Sequence, residues 1–407
     1  MKELLKKYYQ GDKYMWTFIW FLVVASLVSV YSASTALAYI RHNGDITGTI
    51  MRHVVCLLLG VLSILVCSNI RPKVFYTFAD IGVLMGLLSV VLVLFVGSQT
   101  NGSARWFKLG GGITIQPSEF AKIALVIYVA KQLAINFDDP NKSLRKIFLW
   151  SAGIVGFIAA ENLSTALLIV FTIGFMLFIG HVSLKWLGII SSAAVGLLVL
   201  ILIFAPLLKN TPLSRANTWV ARIERFCNDD DENDDKNSQA IQSKMAVATG
   251  GLVGVGAGNS KMKNFLPMAF SDFIFAIILE EYGIWGGALV ILAYIGLLSR
   301  AIVISKSCVK VFHIYTLLGL VIMITLQAAI NMCVAVGILP VTGQTLPMIS
   351  MGGSSSMFIG CALGLMLSIS AEVKREVVSV EAKPVASTPT TKEDYDDDTT
   401  DFDAEAK

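Results

Sequence analysis

Asp272 is the residue best placed to do chemistry. It is the only acidic side chain between Asp235 and Glu280, and it stands where a polar stretch runs into the apolar segment Phe273–Leu279. A carboxylate in a partly dehydrated position can serve as a general base, whereas one that only precedes a helix stabilises the exposed N–H groups of the first turn. For the residue taken alone both readings stand. Glu280 and Glu281 follow about two turns further on, where charge inside an apolar segment must face a bundle interior, a water-filled cavity or a basic partner.

Three further clusters carry polar or cationic groups. In NGSARWFKLGGGITIQPSEFAK (101–122), Arg105, Lys108 and Lys122 can neutralise phosphates, while Trp106 and Phe107 suit the headgroup level of a bilayer. Arg105 is the strongest phosphate-ligand candidate there, and Pro117, Ser118 and Glu119 also read as an ordinary helix start. In QSKMAVATGGLVGVGAGNSKMKNFLP (242–267), glycines allow close backbone approach and Lys261 or Lys263 supplies positive charge. The ordered phosphate-loop pattern GxxxxGK[ST] is missing, so a re-entrant turn or small-residue packing fits equally. In NMCVAVGILPVTGQTLPMISMGGSSSMF (331–358), Pro340 and Pro347 break the chain, and Thr342, Gln344, Ser354 and Ser355 offer hydrogen bonds to a polar headgroup. No nucleophile elbow accompanies His42, His53 or His181, which argues against a Ser-His-Asp hydrolase. The acidic run CNDDDENDDKN (227–237) lacks the ligand spacing and central glycine of a calcium loop and reads as an exposed insertion.

The elements that must hold these clusters are helices in a membrane. The chain has 407 residues, of which 15% are charged and 55% hydrophobic, and a mean hydropathy of +0.70; an ordinary soluble enzyme is excluded. Apolar segments at 15–38, 51–70, 77–97, 117–135, 147–161, 163–180, 186–206, 273–298, 311–334 and 351–370 predict an all-α, polytopic membrane protein with about ten transmembrane helices. The run 147–180 is too long for one helix and is expected to fold as a hairpin broken at Glu161-Asn162. Basic residues at both termini and in alternate connections place the termini in the cytoplasm, and the long connection 207–272 then faces outward. The expected organisation is a cytoplasmic N-terminus (1–14), a membrane domain (15–371) and a disordered cytoplasmic tail (372–407). The net charge of +3 indicates no nucleic-acid partner, and the six cysteines show no metal-binding spacing.

In their order and spacing, SARW with QPSEFAK, GNSKMKNFLP, SDFIFAIILEEYG and PVTGQTLPMISMGGSSS resemble the SEDS family of shape, elongation, division and sporulation proteins, across roughly 15–371. The resemblance implies a peptidoglycan glycosyltransferase that joins lipid II to an undecaprenyl-linked glycan at the outer face of the bacterial cytoplasmic membrane. It puts Asp272 at the family's catalytic carboxylate and makes Arg105, Lys122, Lys261 and Lys263 candidates for the lipid diphosphates. It also implies a class B penicillin-binding transpeptidase as partner, with divisome regulatory subunits in a division-type (FtsW-like) member, which the polar tail favours over the elongation type (RodA-like). A divalent cation such as Mg2+ or Mn2+ could assist the leaving group, although no diagnostic ligand cluster is present. Two positions depart from the family pattern: Met268 replaces a common glutamate after Pro267, and ENLST (161–165) replaces a common Asp-Leu-Gly-Thr form. A lipid-linked precursor flippase and a noncatalytic division scaffold are the competing readings.

Overall fold

A computed structural model of the chain describes residues 9–41, 47–100, 103–109, 113–203, 216–227, 235–266 and 270–381. Twelve α-helices form the described part: α1 (Lys13–Arg41), α2 (Thr47–Asn69), α3 (Pro72–Val96), α4 (Pro117–Ile135), α5 (Leu144–Glu161), α6 (Leu163–Ile179), α7 (Leu184–Ile203), α8 (Ala216–Cys227), α9 (Asp235–Gly250), α10 (Ile274–Lys306), α11 (Val311–Ala335) and α12 (Ser354–Glu381). Each of the ten apolar segments lies on a helix. Among the described residues seven helices are long and apolar enough to cross a membrane: α1, α2, α3, α5, α10, α11 and α12. α6 is apolar but shorter. α4 carries Glu119, Lys122 and Lys131 within its 19 residues.

Local sequence explains where these helices begin. Pro72 and Pro117 each occupy the first turn of their helix, where a missing N–H costs nothing. The hairpin break falls where expected, because the Asn162 side chain accepts the Thr165 N–H and caps α6. α2 and α12 pack closely, and a Cβ on Gly360 would lie 2.4 Å from the Gly60 carbonyl oxygen, so only a small residue allows this crossing.

α4 is the centre of the arrangement. Every residue from Ala121 to Ala130 is buried, so no face of this stretch is left outside, and it packs against α3, α5, α6, α11 and α12. Apolar side chains on the outer helices, such as Leu58, Phe78, Phe95, Phe171 and Trp285, are exposed, as lipid-facing surfaces require.

Two features of the connections go beyond the expected loops. Three short strands form an antiparallel sheet in the order β1 (Ser98–Thr100), β2 (Ser103–Leu109) and β3 (Ile113–Ile115), with Phe107 opposite Ile115 and a bulge after Ser98. The long polar connection contains α8 and α9, with α9 packed along α10. The acidic residues 228–234, the Pro267-Met268 pair and the tail from 382 onward lie outside the described residues.

Candidate active site

Asp272 lies in the turn that leads into α10 and is half-buried. The N-cap position of that helix belongs to Phe273, not to Asp272. The Asp272 main chain is gripped from α11: the Asn331 side-chain amide donates to the Asp272 carbonyl at 2.8 Å and to the Gln344 carbonyl at 2.7 Å. Ser350 Oγ donates to the Ser271 carbonyl at 2.6 Å and accepts the Leu346 N–H at 2.7 Å, while the Met351 N–H donates to the Phe270 carbonyl at 3.0 Å. The turn before α10 is thereby tied to the irregular segment 337–353. Ser271 Oγ also donates to Asp272 Oδ1 at 3.0 Å.

That segment passes directly beside the carboxylate. Gly343 adopts φ +68°, and a Cβ there would sit 3.6 Å from Asp272 Oδ2. From α8, Arg222 Nη1 donates to the Val341 carbonyl at 3.2 Å and brings a guanidinium to the same stretch. Gln344 is buried, and its amide donates to Thr165 Oγ1 at 2.7 Å, linking the segment to the start of α6.

A second buried network adjoins the first. Lys122 Nζ donates to Glu119 Oε1 at 2.9 Å and to Gln327 Oε1 at 2.8 Å, and the lysine is only 1% exposed. Ser355 Oγ donates to Glu119 Oε2 at 3.0 Å, Ser354 Oγ accepts the Gln116 N–H at 3.1 Å, and the Gln327 amide donates to the Thr345 carbonyl at 3.0 Å. α4, α11, α12 and the 337–353 segment are joined through these contacts. A buried ion pair of this kind needs every remaining donor and acceptor satisfied, which the glutamine and serine help to supply.

The sequence candidates thus divide into groups. Asp272 and Gln344 share the Asn331 node, Lys122 and Ser355 share the Glu119 network, and Ser354 receives the Gln116 N–H beside it. Lys261 and Lys263 stand on the connection after α9; Lys261 is exposed, and Lys263 Nζ donates to the Gly258 carbonyl at 2.7 Å. The backbone of Arg105 belongs to β2, and its side chain lies outside the described residues, as does that of Lys108. Sequence reasoning missed Gln327, Asn331, Ser350 and Arg222. The first two are four residues apart on an apolar helix, one turn of polar side chains in a setting where such groups signal function or mutual pairing.

Among the described residues no group of three or more His, Cys, Asp and Glu side chains is arranged to hold a metal ion.

A family model for cell cycle proteins of the FtsW, RodA and SpoVE type matches residues 12–375. The chain is 32% identical over 364 residues to the "Probable peptidoglycan glycosyltransferase FtsW" of Coxiella burnetii, covering 87% of this chain and 94% of that protein. It is 33% identical over 361 residues to "Stage V sporulation protein E" of Bacillus subtilis, covering 86% and 94%. Among solved structures it matches a chain described under "Structural coordination of polymerization and crosslinking by a peptidoglycan synthase complex", with TM-score 0.71 and 25% identity over 89% of this chain and 98% of that one. The rod shape determining protein RodA of Thermus thermophilus shares the fold at TM-score 0.62, with 24% identity over 89% and 97%. With a family match across nearly its whole length and relatives above 30% identity, this chain belongs to the FtsW, RodA and SpoVE family of cell cycle proteins, and the FtsW type is the most consistent with its relatives.

Proposed function

We propose that this protein polymerises lipid II into glycan strands at the outer face of the cytoplasmic membrane, serving the division septum. In this reading all ten apolar helices cross the bilayer, both termini are cytoplasmic, and residues 207–272 lie outside. The observation that carries it is the mounting of Asp272. Asn331 and Ser350 hold the turn through main-chain carbonyls, so a half-buried carboxylate is fixed in position at the edge of the bundle by contacts to its backbone.

The chemistry follows from that placement. The Asp272 carboxylate accepts the proton of the acceptor sugar 4-hydroxyl as its oxygen attacks the anomeric carbon of the donor. The bond from that carbon to the lipid diphosphate breaks, and the diphosphate leaves with the bonding pair. Arg105, Lys261 and Lys263 offset the negative charge on the leaving diphosphate. Lys122, occupied by Glu119 and Gln327, is assigned to positioning: it fixes α4 against α11, and through Gln327 it fixes the segment beside Asp272. Gln344, Ser354 and Ser355 anchor the same segment. A class B penicillin-binding transpeptidase would crosslink the product, with divisome subunits regulating the pair.

The test is conversion of purified lipid II to glycan strands in liposomes by the wild type and Asp272→Asn, with and without the class B partner. Strands from the wild type, lost by at least about a hundredfold in a folded Asp272→Asn protein, are expected from removal of a general base. Equal synthesis by both proteins rejects Asp272 as the base. No strands under any condition, together with translocation of labelled lipid II, would replace the polymerase reading with a flippase.

A further inference from the structure

We infer that Glu280 is a positioning residue: its buried carboxylate clamps the loop that presents Lys261 and Lys263 to the substrate diphosphate. The inference rests on the polymerase reading for the identity of the ligand, and on geometry alone for the clamp.

Glu280 is 0% exposed. Its carboxylate is held by dipoles from a single stretch of chain: the Lys261 N–H donates to Oε1 at 2.8 Å, the Met262 N–H to Oε1 at 3.3 Å, and Ser260 Oγ to Oε2. Ser260 Oγ in turn accepts the Lys263 N–H at 3.1 Å. Successive N–H groups that converge on one anion form the kind of nest that elsewhere receives a phosphate. Here the occupant is the protein's own carboxylate. The main-chain donors of residues 261–263 are therefore committed internally, which leaves the Lys261 ammonium, and the Lys263 donors not used on the Gly258 carbonyl, to meet an external anion.

The same turn of α10 holds the preceding strap. At Gly283 the backbone leaves helical geometry, with φ 66° and ψ −166°. The Ile284 N–H, which an unbroken helix would direct to the Glu280 carbonyl, donates instead to the Gly251 carbonyl at 3.0 Å. The Glu280 carbonyl accepts the Val255 N–H at 2.9 Å, and the Glu281 carbonyl accepts the Gly256 N–H at 3.0 Å. Contact is close enough that a Cβ on Gly254 would lie 2.2 Å from the Glu281 carbonyl oxygen. One helical turn therefore exchanges hydrogen bonds with the strap at both ends, the 251–256 side through the main chain and the 260–263 side through the Glu280 carboxylate.

The clamp is tested on the full chain in liposomes with two readouts. Amide hydrogen exchange across 251–266 is expected to accelerate at least about tenfold in Glu280→Ala and to stay near wild type in Glu280→Gln, which retains the acceptor for Lys261 and Met262. Lipid II affinity, measured in an Asp272→Asn background where no turnover occurs, is expected to weaken about tenfold in Glu280→Ala, a loss of about 1.4 kcal/mol. The double variant Lys261→Gln/Lys263→Gln should weaken it similarly, and adding Glu280→Ala to that pair should change little further, because all three act through one contact. Ser260→Ala, a milder cut, takes the place of Glu280→Ala if the latter fails to fold. Unchanged exchange in a folded variant overturns the clamp. Fully additive losses of affinity overturn its action through the lysines. If the wild type makes no strands, the polymerase reading falls while exchange still decides the clamp.

Discussion

Glu119 and Lys122 lie one turn apart on α4, their buried charges meeting at 2.9 Å. Taking away one member strands the other, and the cost of breaking such a pair is about 3–5 kcal/mol. Lys122→Met is therefore expected to lower the thermal stability of the protein in detergent sharply. Lys122→Met combined with Glu119→Leu should recover much of the loss, and a double variant no more stable than the single one would refute a pair-based account. Lys122 and Asp272 could be singled out by type and by their place at helix starts. Their partners could not: Gln327 is 205 positions from Lys122, and Asn331 is 59 from Asp272. Only tertiary packing of α11 brings those amides in, and it ties Lys122, a phosphate-ligand candidate by sequence, into an internal strut.

The elements were more legible than the contacts between them. Each apolar segment coincides with a helix because length and hydropathy are local properties, and the Asn162 cap explains why 147–180 divides where it does. Polar α8 and α9 and the short sheet leave little trace in the sequence, since none of them carries a continuous apolar run to announce it. The break in α10 was equally hidden, because Gly283 sits within an apolar helix and single glycines are tolerated there. Its role becomes visible only against the strap. A side chain at 283 would place Cβ 2.4 Å from the Leu252 carbonyl oxygen while the backbone holds φ +66°. Gly283→Ala is expected to destabilise by at least about 1–3 kcal/mol and to speed hydrogen exchange in 250–256. Wild-type melting and exchange in that variant would show that the helix can simply close the break.

Across the whole molecule, charge gathers at the end opposite Asp272. Arg300 on α10 donates to Asp12 at 2.5 and 3.2 Å, and Lys310 pairs with Glu372 and Glu376 of α12. Burial works to raise the Asp12 carboxyl, yet the hydrogen bonds from Arg300 and the Met15 N–H, with the guanidinium charge, hold it below the ordinary 3.8. A folded-state value below the unfolded one means that the stabilisation is complete above pH 3.8 and is lost as the pH falls through the depressed value. Asp12→Asn should therefore melt below the wild type at neutral pH, with the difference closing in that acid window; a constant difference would assign the effect to packing. The wrapping of α4 has a further consequence, in the order of synthesis. α4 emerges from the ribosome long before α11 and α12, so in the proposed ten-span topology it enters the bilayer without Gln327 and Ser355 to receive its charges. An isolated lysine or acidic residue costs about 2.5–3.5 kcal/mol to insert at a helix centre and less near a helix start, where this pair lies. Because Glu119 and Lys122 are i,i+3 neighbours on one helix, α4 carries its own counter-ion through this interval, and the pair is a provision for membrane insertion as much as for the finished fold.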